Sequence, residues 1–311
     1  MDKPPDMWVG AAVRYTGAEK GILRTGLQGT VVQTGADRST AYLMAGRRAR
    51  LRRHQARVAL ADGQVVVADA ADLAITTPPH PLRAEPDGRT ADWVLQALRP
   101  WTPGGEVLPA ACFVPDTYAS VVKVLHPWTA SDGNGSASWA HVAGKAGLPS
   151  VQALDSTRSA QGPPAVQGWE LPPPGQMPTA VGSAVIEVLA GFTTTPEDVV
   201  VGVWTGWGGL PYSRFPGAAV VPTEARGHVL LRGPLAGLGE PLSPTASALE
   251  TSGLWWPADR GWLVSTEVDF DWTFVAGSAE IAAALDAHPG LEVLHTDVEA
   301  PANNLRGDRP M

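Results

Sequence analysis

Cysteine is almost absent from this sequence. The single residue, Cys112, excludes an internal disulfide framework and a zinc site built from cysteines alone. Free cysteine is usually a small buried apolar residue, and we expect that role for Cys112. A composition without disulfides is typical of a reducing compartment, so we expect a cytoplasmic protein.

Long hydrophobic runs are also lacking. A membrane-spanning helix needs roughly 20 consecutive apolar residues, and the longest candidate, 181–192, is interrupted by Glu187. The first six residues carry neither the cationic head nor the apolar run of a secretory signal. We therefore expect no association with a membrane.

Several catalytic signatures are missing as well. The sequence contains no GxxxxGK[ST] phosphate loop, no GxGxxG fingerprint, no GxSxG elbow and no HExxH metal motif. These absences disfavour nucleotide-dependent enzymes and serine hydrolases. They lead us to predict no cofactor and no bound metal.

The charges are distributed unevenly along the chain, whose net charge is −8. Residues 1–80 carry 11 Lys and Arg against 7 Asp and Glu, whereas the remainder carries 12 against 24. The main basic feature is a run whose arginines are Arg47, Arg48, Arg50, Arg52 and Arg53. Such a run is either a solvated edge or a contact for nucleic acid or an acidic protein, and the lack of interleaved aromatic residues weakens the nucleic-acid interpretation.

The first 75 residues show five short strand patterns separated by glycine-containing turns. These patterns lie at 12–15, 26–32, 41–44, 56–60 and 64–68, and the last two flank an Asp62-Gly63 hairpin signal. They predict a small β-barrel over residues 1–75, and their order resembles that of SH3-like barrels. Residues 76–90 contain four prolines and predict a stiff linker.

Residues 91–299 combine helix and strand patterns, which predicts an α+β domain with a central mixed sheet. Helices are expected at 91–98, 138–144, 180–190 and 278–288, and strands at 199–204, 228–231 and 291–294. Residues 300–311 are expected to form a flexible tail. The fold class is therefore α+β, with a small N-terminal SH3-like barrel in front of the larger domain.

The most regular pattern in the chain runs from Trp262 to Val275. Apolar residues occupy one parity there, whereas Glu267, Asp269 and Asp271 occupy the other. A single strand would turn the aromatic rings inward and show three carboxylates on one face. That face is a solvated surface, a contact for a basic partner, or an acid/base site if the fold brings His126 beside Glu267 or Asp269.

Tryptophan marks the second part of the chain, because 11 of the 12 tryptophans follow residue 90. They are densest around Trp255 and Trp256, which we predict as a binding surface. Asp259 and Arg260 follow directly, and they form either an ion pair that orders this turn or a ligand-facing pair beside aromatic walls.

Residues from about 105 to 295 resemble a group of uncharacterised actinobacterial proteins. The resemblance rests on 124–127, 192–197, 203–208 and 254–262, which occur in the same order. It implies no activity and no catalytic residues. The basic barrel and the acidic second domain favour a non-enzymatic binding protein, such as an immunity or adaptor protein for a basic protein partner. The alternatives are a hydrolase that uses His126, Glu267 and Asp269, with or without a divalent metal, and a structural subunit of a larger assembly.

Overall fold

The computed structural model divides the chain into two compact units. Unit 1 contains residues 1–80, 208–216 and 242–245, and unit 2 contains 81–207, 217–241 and 246–311. The structure describes residues 11–20, 22–34, 42–44, 47–49, 51–52, 54–62, 64–75, 80–101, 108–161, 166–207, 215, 217–223, 226–243, 246–247, 252–305 and 308–310.

Unit 1 is built on an antiparallel five-stranded sheet. Unit 1 as a whole contains the strands β1 (Ala12–Tyr15), β2 (Gln28–Thr34), β3 (Tyr42–Met44), β4 (Arg47–Ala49), β5 (Gln55–Leu60), β6 (Val65–Asp69) and β7 (Leu73–Ile75). The order in the sheet is β6-β5-β2-β1-β7, and β3 and β4 pair separately. Alternate side chains such as Val13, Val31 and Val58 fill one core, as the period of two requires.

Unit 2 is organised around a ten-stranded sheet. Its strands are β8 (Arg83–Ala84), β9 (Ser120–Leu125), β13 (Val199–Trp204), β14 (Val220–Thr223), β15 (Arg226–Gly233), β18 (Ser252–Pro257), β19 (Leu263–Ser265), β20 (Trp272–Gly277), β21 (Val293–Thr296) and β22 (Arg309–Pro310). The order is β14-β15-β13-β18-β19-β20-β9-β21-β22, with β8 beside β15. Outside this sheet, β10 (Trp128–Ala130), β11 (Ser136–Ala137) and β12 (Trp169–Glu170) form a three-stranded sheet, and β16 (Pro241–Ser243) pairs with β17 (Ala246–Ser247).

Every pair in this sheet is antiparallel, so the prediction of a mixed sheet was wrong. Short turns join β18 to β19 and β19 to β20, and a short turn can connect only antiparallel neighbours. The helix-containing connection after β20 leads to β21, which runs in the same direction as β20 because β9 lies antiparallel between them. The α+β class itself is confirmed.

Five α-helices accompany the sheets in the described residues. They are α1 (Asp92–Ala97), α2 (Trp139–Lys145), α3 (Val151–Gln161), α4 (Thr179–Ala190) and α5 (Ala279–Asp286). The hydroxyls of Ser138 and Ser278 cap α2 and α5 by accepting from the backbone N–H three residues later. Helix α5 packs on β9, β20 and β21 and against α4.

The large hydrophobic core lies on one face of the ten-stranded sheet. Leu230, Trp256 and Phe274 from the sheet meet Phe113 and Trp139 there. Phe113 stacks on Phe274 with ring centroids 6.1 Å apart. The core therefore joins residues from both ends of unit 2, which explains why aromatic residues are concentrated after residue 90.

The predicted linker and tail are both partly built into unit 2. Residues 83–84 form β8 against β15, which lies within the segment expected to be a linker. Ala302 and Leu305 are fully buried, and β22 pairs with β21, although the sequence predicted a flexible tail there. These segments are ordered because the sheet edge supplies their backbone partners.

Candidate functional site

The predicted acidic face does not form, because residues 262–275 are a hairpin rather than one strand. Strand β19 ends at Ser265, β20 begins at Trp272, and Ser265 pairs with Phe274. The side chain of Asp269 is 75% exposed, that of Glu267 is 12% exposed, and Asp271 is buried. The three carboxylates therefore lie in different environments around one turn.

Trp255 and Trp256 lie inside the protein instead of forming a binding surface. They are neighbours on β18 and point to opposite faces of the sheet. Trp255 packs edge-on against Trp262 at 5.5 Å, and Trp256 packs edge-on against Trp93 at 5.8 Å. Both are buried, so this tryptophan-rich string is core.

Asp259 and Arg260 have separate structural roles. One carboxylate oxygen of Asp259 accepts hydrogen bonds from the Thr194 N–H at 2.6 Å and from the hydroxyls of Thr193 and Thr194. These bonds lower the pKa of Asp259 although partial burial raises it. The guanidinium of Arg260 lies 4.9 Å above the Trp93 ring. The Asp259 carboxylate thus connects the loop that contains Thr193 and Thr194 to the β18–β19 turn. This is its observed role, rather than the predicted ion pair with Arg260.

His126 is fully buried and lies in a row of polar side chains. Its Nε2 is 2.9 Å from the Thr273 hydroxyl, which is 2.8 Å from the Thr266 hydroxyl. Burial lowers the pKa of His126 to about 3. The carboxylate of Glu267, in contrast, is paired with Arg226, so the structure does not join His126 to Glu267 or Asp269 in an acid/base site.

The basic run is only partly described. Arg47 and Arg48 belong to β4, which pairs with β3, and Arg52 is exposed. Arg50 and Arg53 lie outside the described residues. The described part of the run is thus a strand and an exposed arginine, and its role as a nucleic-acid contact stays a prediction.

A cavity of about 130 Å³ in unit 2 gathers the charged and aromatic residues that fit a binding site best. We call it the Arg226 cavity. Strand β15 contributes Arg226 and His228, which point to one face because they are two residues apart. The turn after β19 contributes Glu267, and residues beyond α1 contribute Trp101.

Both carboxylates and aromatic rings contact the guanidinium of Arg226. Its Nε donates to Glu267 at 2.9 Å, and one of its NH₂ groups donates to Asp269 at 2.8 Å. The guanidinium lies 5.1 Å from the Trp204 ring and 5.8 Å from the Trp101 ring. Since Arg226 and Glu267 are both mostly buried, these contacts fix the guanidinium in one position.

The remaining wall of the Arg226 cavity is apolar. It is lined by Leu95, Leu98, Phe113, Pro222 and Leu254. Phe113 and Leu254 belong to the large core, so this wall is a rigid surface rather than a mobile loop. Rigid apolar walls beside a few polar groups are the usual construction of a small-molecule site.

Burial shifts the pKa values of the titratable groups at this cavity. Burial and the positive charge of Arg226 lower the pKa of His228 to about 4, so its imidazole is neutral at neutral pH. Burial raises the pKa of Glu267, although Arg226 opposes that effect. Gly253 allows β18 to approach this histidine, because a Cβ there would lie 2.6 Å from His228 Nε2.

Two kinds of feature, a cluster of metal-ligating side chains and a membrane-spanning helix, were sought among the described residues. Those residues contain no group of three or more His, Cys, Asp or Glu side chains placed to hold a metal ion. They also contain no helix that is long and apolar enough to span a bilayer. Searches of protein-family models, curated proteins and solved structures found no significant match to the chain.

Sequence reasoning missed Arg226, His228, Trp101 and Trp204 as a group. A usable signal was present on β15, where Arg226, His228 and Leu230 alternate at a period of two. Trp101 and Trp204 are far apart in sequence and meet Arg226 only through the sheet order. Glu267 and Asp269 were predicted as site residues, and the structure places both beside Arg226.

Proposed function

We propose that unit 2 is a non-enzymatic binding module whose Arg226 cavity receives one ring-sized group of a basic ligand. The observation that carries this proposal is the convergence of Arg226, Glu267 and Trp101 on a cavity with rigid apolar walls. Its volume of about 130 Å³ is close to that of an engineered cavity of roughly 150 Å³ that binds benzene.

The charges around the cavity favour a cationic ligand over an anionic one. Arg226 is paired with Glu267 and Asp269, and Arg99 is paired with Glu299. Three carboxylates thus oppose two guanidiniums, which leaves an excess of one negative charge. A protein partner with a basic surface fits this balance, and so does the net charge of −8 for the chain.

Binding is better supported than hydrolysis. A general base works best when its pKa lies near the operating pH, whereas burial lowers the pKa of His126 to about 3 and that of His228 to about 4. Glu267 is occupied by Arg226. Neutral histidines and a carboxylate already paired with arginine are better suited to recognising a ligand than to transferring protons.

For unit 1 we propose an SH3-like role as the second contact of an adaptor or immunity protein in the cytoplasm. Its five-stranded antiparallel sheet with a single small core is compatible with a partly open barrel. The arginines of the 47–53 run would then contact an acidic surface of a partner. The proposed relationship to an actinobacterial family concerns unit 2 and adds no activity.

Three probes that share one ring test the proposal: benzamidine, benzyl alcohol and benzoate. We expect the cation to bind most tightly, the alcohol next and the anion least, because of the excess carboxylate. Binding would be followed in the full chain by ligand-observed NMR and by tryptophan fluorescence, since Trp101 and Trp204 flank Arg226.

Two variants locate the site. Leu254→Trp should fill the cavity and abolish binding of all three probes, and Glu267→Gln should reduce the preference for benzamidine over benzyl alcohol. Glu197→Gln, at an exposed position, is the matched control and should leave the preference unchanged. Equal binding to wild type and Leu254→Trp, or a preference for benzoate, would refute the proposal.

A further inference from the structure

Lys123 is a charged residue at the centre of unit 2. It lies in β9, between β20 and β21, and its side chain is fully buried. Its Nζ donates to the carbonyl oxygens of Pro301 and Asn304 at 2.8 and 2.7 Å. The third neighbour is Asp308 Oδ2 at 2.7 Å, and that side chain is fully buried too.

The surroundings of this pair are apolar and acidic rather than aqueous. The Trp272 and Phe274 rings lie 5.2 and 5.7 Å from Lys123 Nζ. A second buried carboxylate, Asp155 on α3, accepts from the Leu305 N–H at 2.9 Å. It therefore positions the segment that carries Asp308, and its negative charge acts on both partners.

Burial works against the charged form of both partners. It lowers the pKa of Lys123, and it raises the pKa of Asp308, although each is opposed by the other's charge. Removing the two charges from water is unfavourable for both partners, because each ion loses its hydration. Transfer of the ammonium proton to the carboxylate inside the pair gives an amine and a carboxylic acid, which avoids that cost.

The hydrogen bonds orient such an amine. A neutral amine has two N–H donors, and the carbonyls of Pro301 and Asn304 accept two hydrogen bonds. The remaining tetrahedral position of nitrogen, which holds the lone pair, then faces the Asp308 carboxyl group. A nucleophile held within contact distance of its electrophile reacts as if at very high concentration.

From this arrangement we infer that Lys123 and Asp308 are the site of an intramolecular isopeptide bond. The Lys123 nitrogen attacks Cγ of the protonated Asp308 side chain and forms an N–C bond. The C–OH bond breaks, and the hydroxyl leaves with one amine proton as water. The product is a secondary amide, and no oxidant, reductant or cofactor takes part.

The bond would tie the C-terminal segment to a central strand. Residues 123 and 308 are 185 positions apart, so the cross-link closes a long loop of chain around unit 2. A cross-link of this kind stabilises the fold mainly by restricting the unfolded chain. It would also hold β22 beside β21 against pulling or proteolysis.

Intact mass spectrometry of the full chain under denaturing conditions tests this inference. The wild-type chain should be lighter than its sequence mass by one water molecule, and a fragment spectrum should join the peptides that contain residues 123 and 308. Lys123→Met and Asp308→Ala should each have the full sequence mass. Asp308→Asn should lose ammonia instead of water, because the NH₂ group of the side-chain amide leaves with one proton of the Lys123 amine.

Even if a variant fails to fold, the wild-type mass together with the fragment that joins residues 123 and 308 decides whether the bond forms. A wild-type chain at its sequence mass after prolonged incubation would show that the pair remains an ordinary ion pair and would overturn the inference. A water loss that persists in both Lys123→Met and Asp308→Ala would place the dehydration elsewhere, as at an Asp-Gly succinimide, and would overturn it as well.

Discussion

At the scale of single residues, two buried histidines make the protein sensitive to acid. Burial lowers the pKa of His126 to about 3 and that of His228 to about 4, whereas an unfolded histidine titrates near pH 6.5. The unfolded chain therefore binds more protons between these values, and stability is lost as the pH falls below about 6.5. At pH 5 each histidine should cost about 2 kcal/mol relative to pH 7.5.

Urea unfolding at pH 7.5 and pH 5 measures this loss. His228→Asn should show a loss smaller than that of wild type by about 2 kcal/mol, because one titrating group is gone. The exposed His141 provides the control, and His141→Asn should lose as much stability as wild type. Identical losses in wild type and His228→Asn would mean that this imidazole is not held neutral.

At the scale of elements, the turn between β19 and β20 is clamped by the loop before α4. The Gly175 N–H donates to the Phe270 carbonyl at 2.8 Å, and Gly175 has φ of +71°. A Cβ at Gly175 would overlap the backbone of Val268, which no side-chain rotation can relieve. This close approach positions the turn that carries Glu267 and Asp269.

Gly175→Ala should therefore destabilise the protein and weaken benzamidine binding. The left-handed backbone alone costs an alanine roughly 1–2 kcal/mol, and the overlap adds to that cost. Gly133→Ala isolates the backbone contribution, because Gly133 has φ of +75° with no atom within 4 Å of its Cβ. In thermal unfolding, the melting temperature of Gly175→Ala should be lower than that of Gly133→Ala. Equal melting temperatures would contradict the proposed clamp.

The elements also show what sequence patterns could predict. Helices α4 and α5 follow from their apolar spacing and, for α5, from the Ser278 cap, and strand β13 follows from the continuous apolar run of a doubly buried strand. The β19–β20 hairpin was missed because its loop holds six residues, so the apolar–polar alternation keeps its phase across the turn. Its loop also lacks the glycine, proline or asparagine that marks most turns.

The candidate site was harder to predict because it depends on strand order. Glu267 and Asp269 stand out in the sequence as carboxylates, but nothing local shows that β15 supplies their cation. Arg226 reaches them by lying on a strand separated from β19 by β13 and β18. Non-local pairing of this kind is set by packing of the whole sheet, and a pattern read in one window does not contain it.

At the scale of the whole molecule, the C-terminal segment completes the ten-stranded sheet of unit 2. Strand β9 lies between β20 and β21, so residues near 120 depend on partners that follow residue 270. Leu305 is fully buried in the large core, whereas Asn303 two residues earlier is exposed. The last turn of chain therefore contributes apolar burial as well as the partner of Lys123.

Leu305→Ala should lower the free energy of unfolding by about 2–5 kcal/mol, as for other buried leucines cut to alanine. Asn303→Ala removes side-chain atoms from the same segment without opening the core, and we expect a change within about 0.5 kcal/mol. Denaturant unfolding monitored by tryptophan fluorescence compares the two, because Trp256 and Trp272 lie in the same core as Leu305. If both variants unfolded at the wild-type midpoint, the segment after residue 300 would be the dispensable tail that the sequence suggested, and β9 would have to be stabilised by β20 and β21 alone.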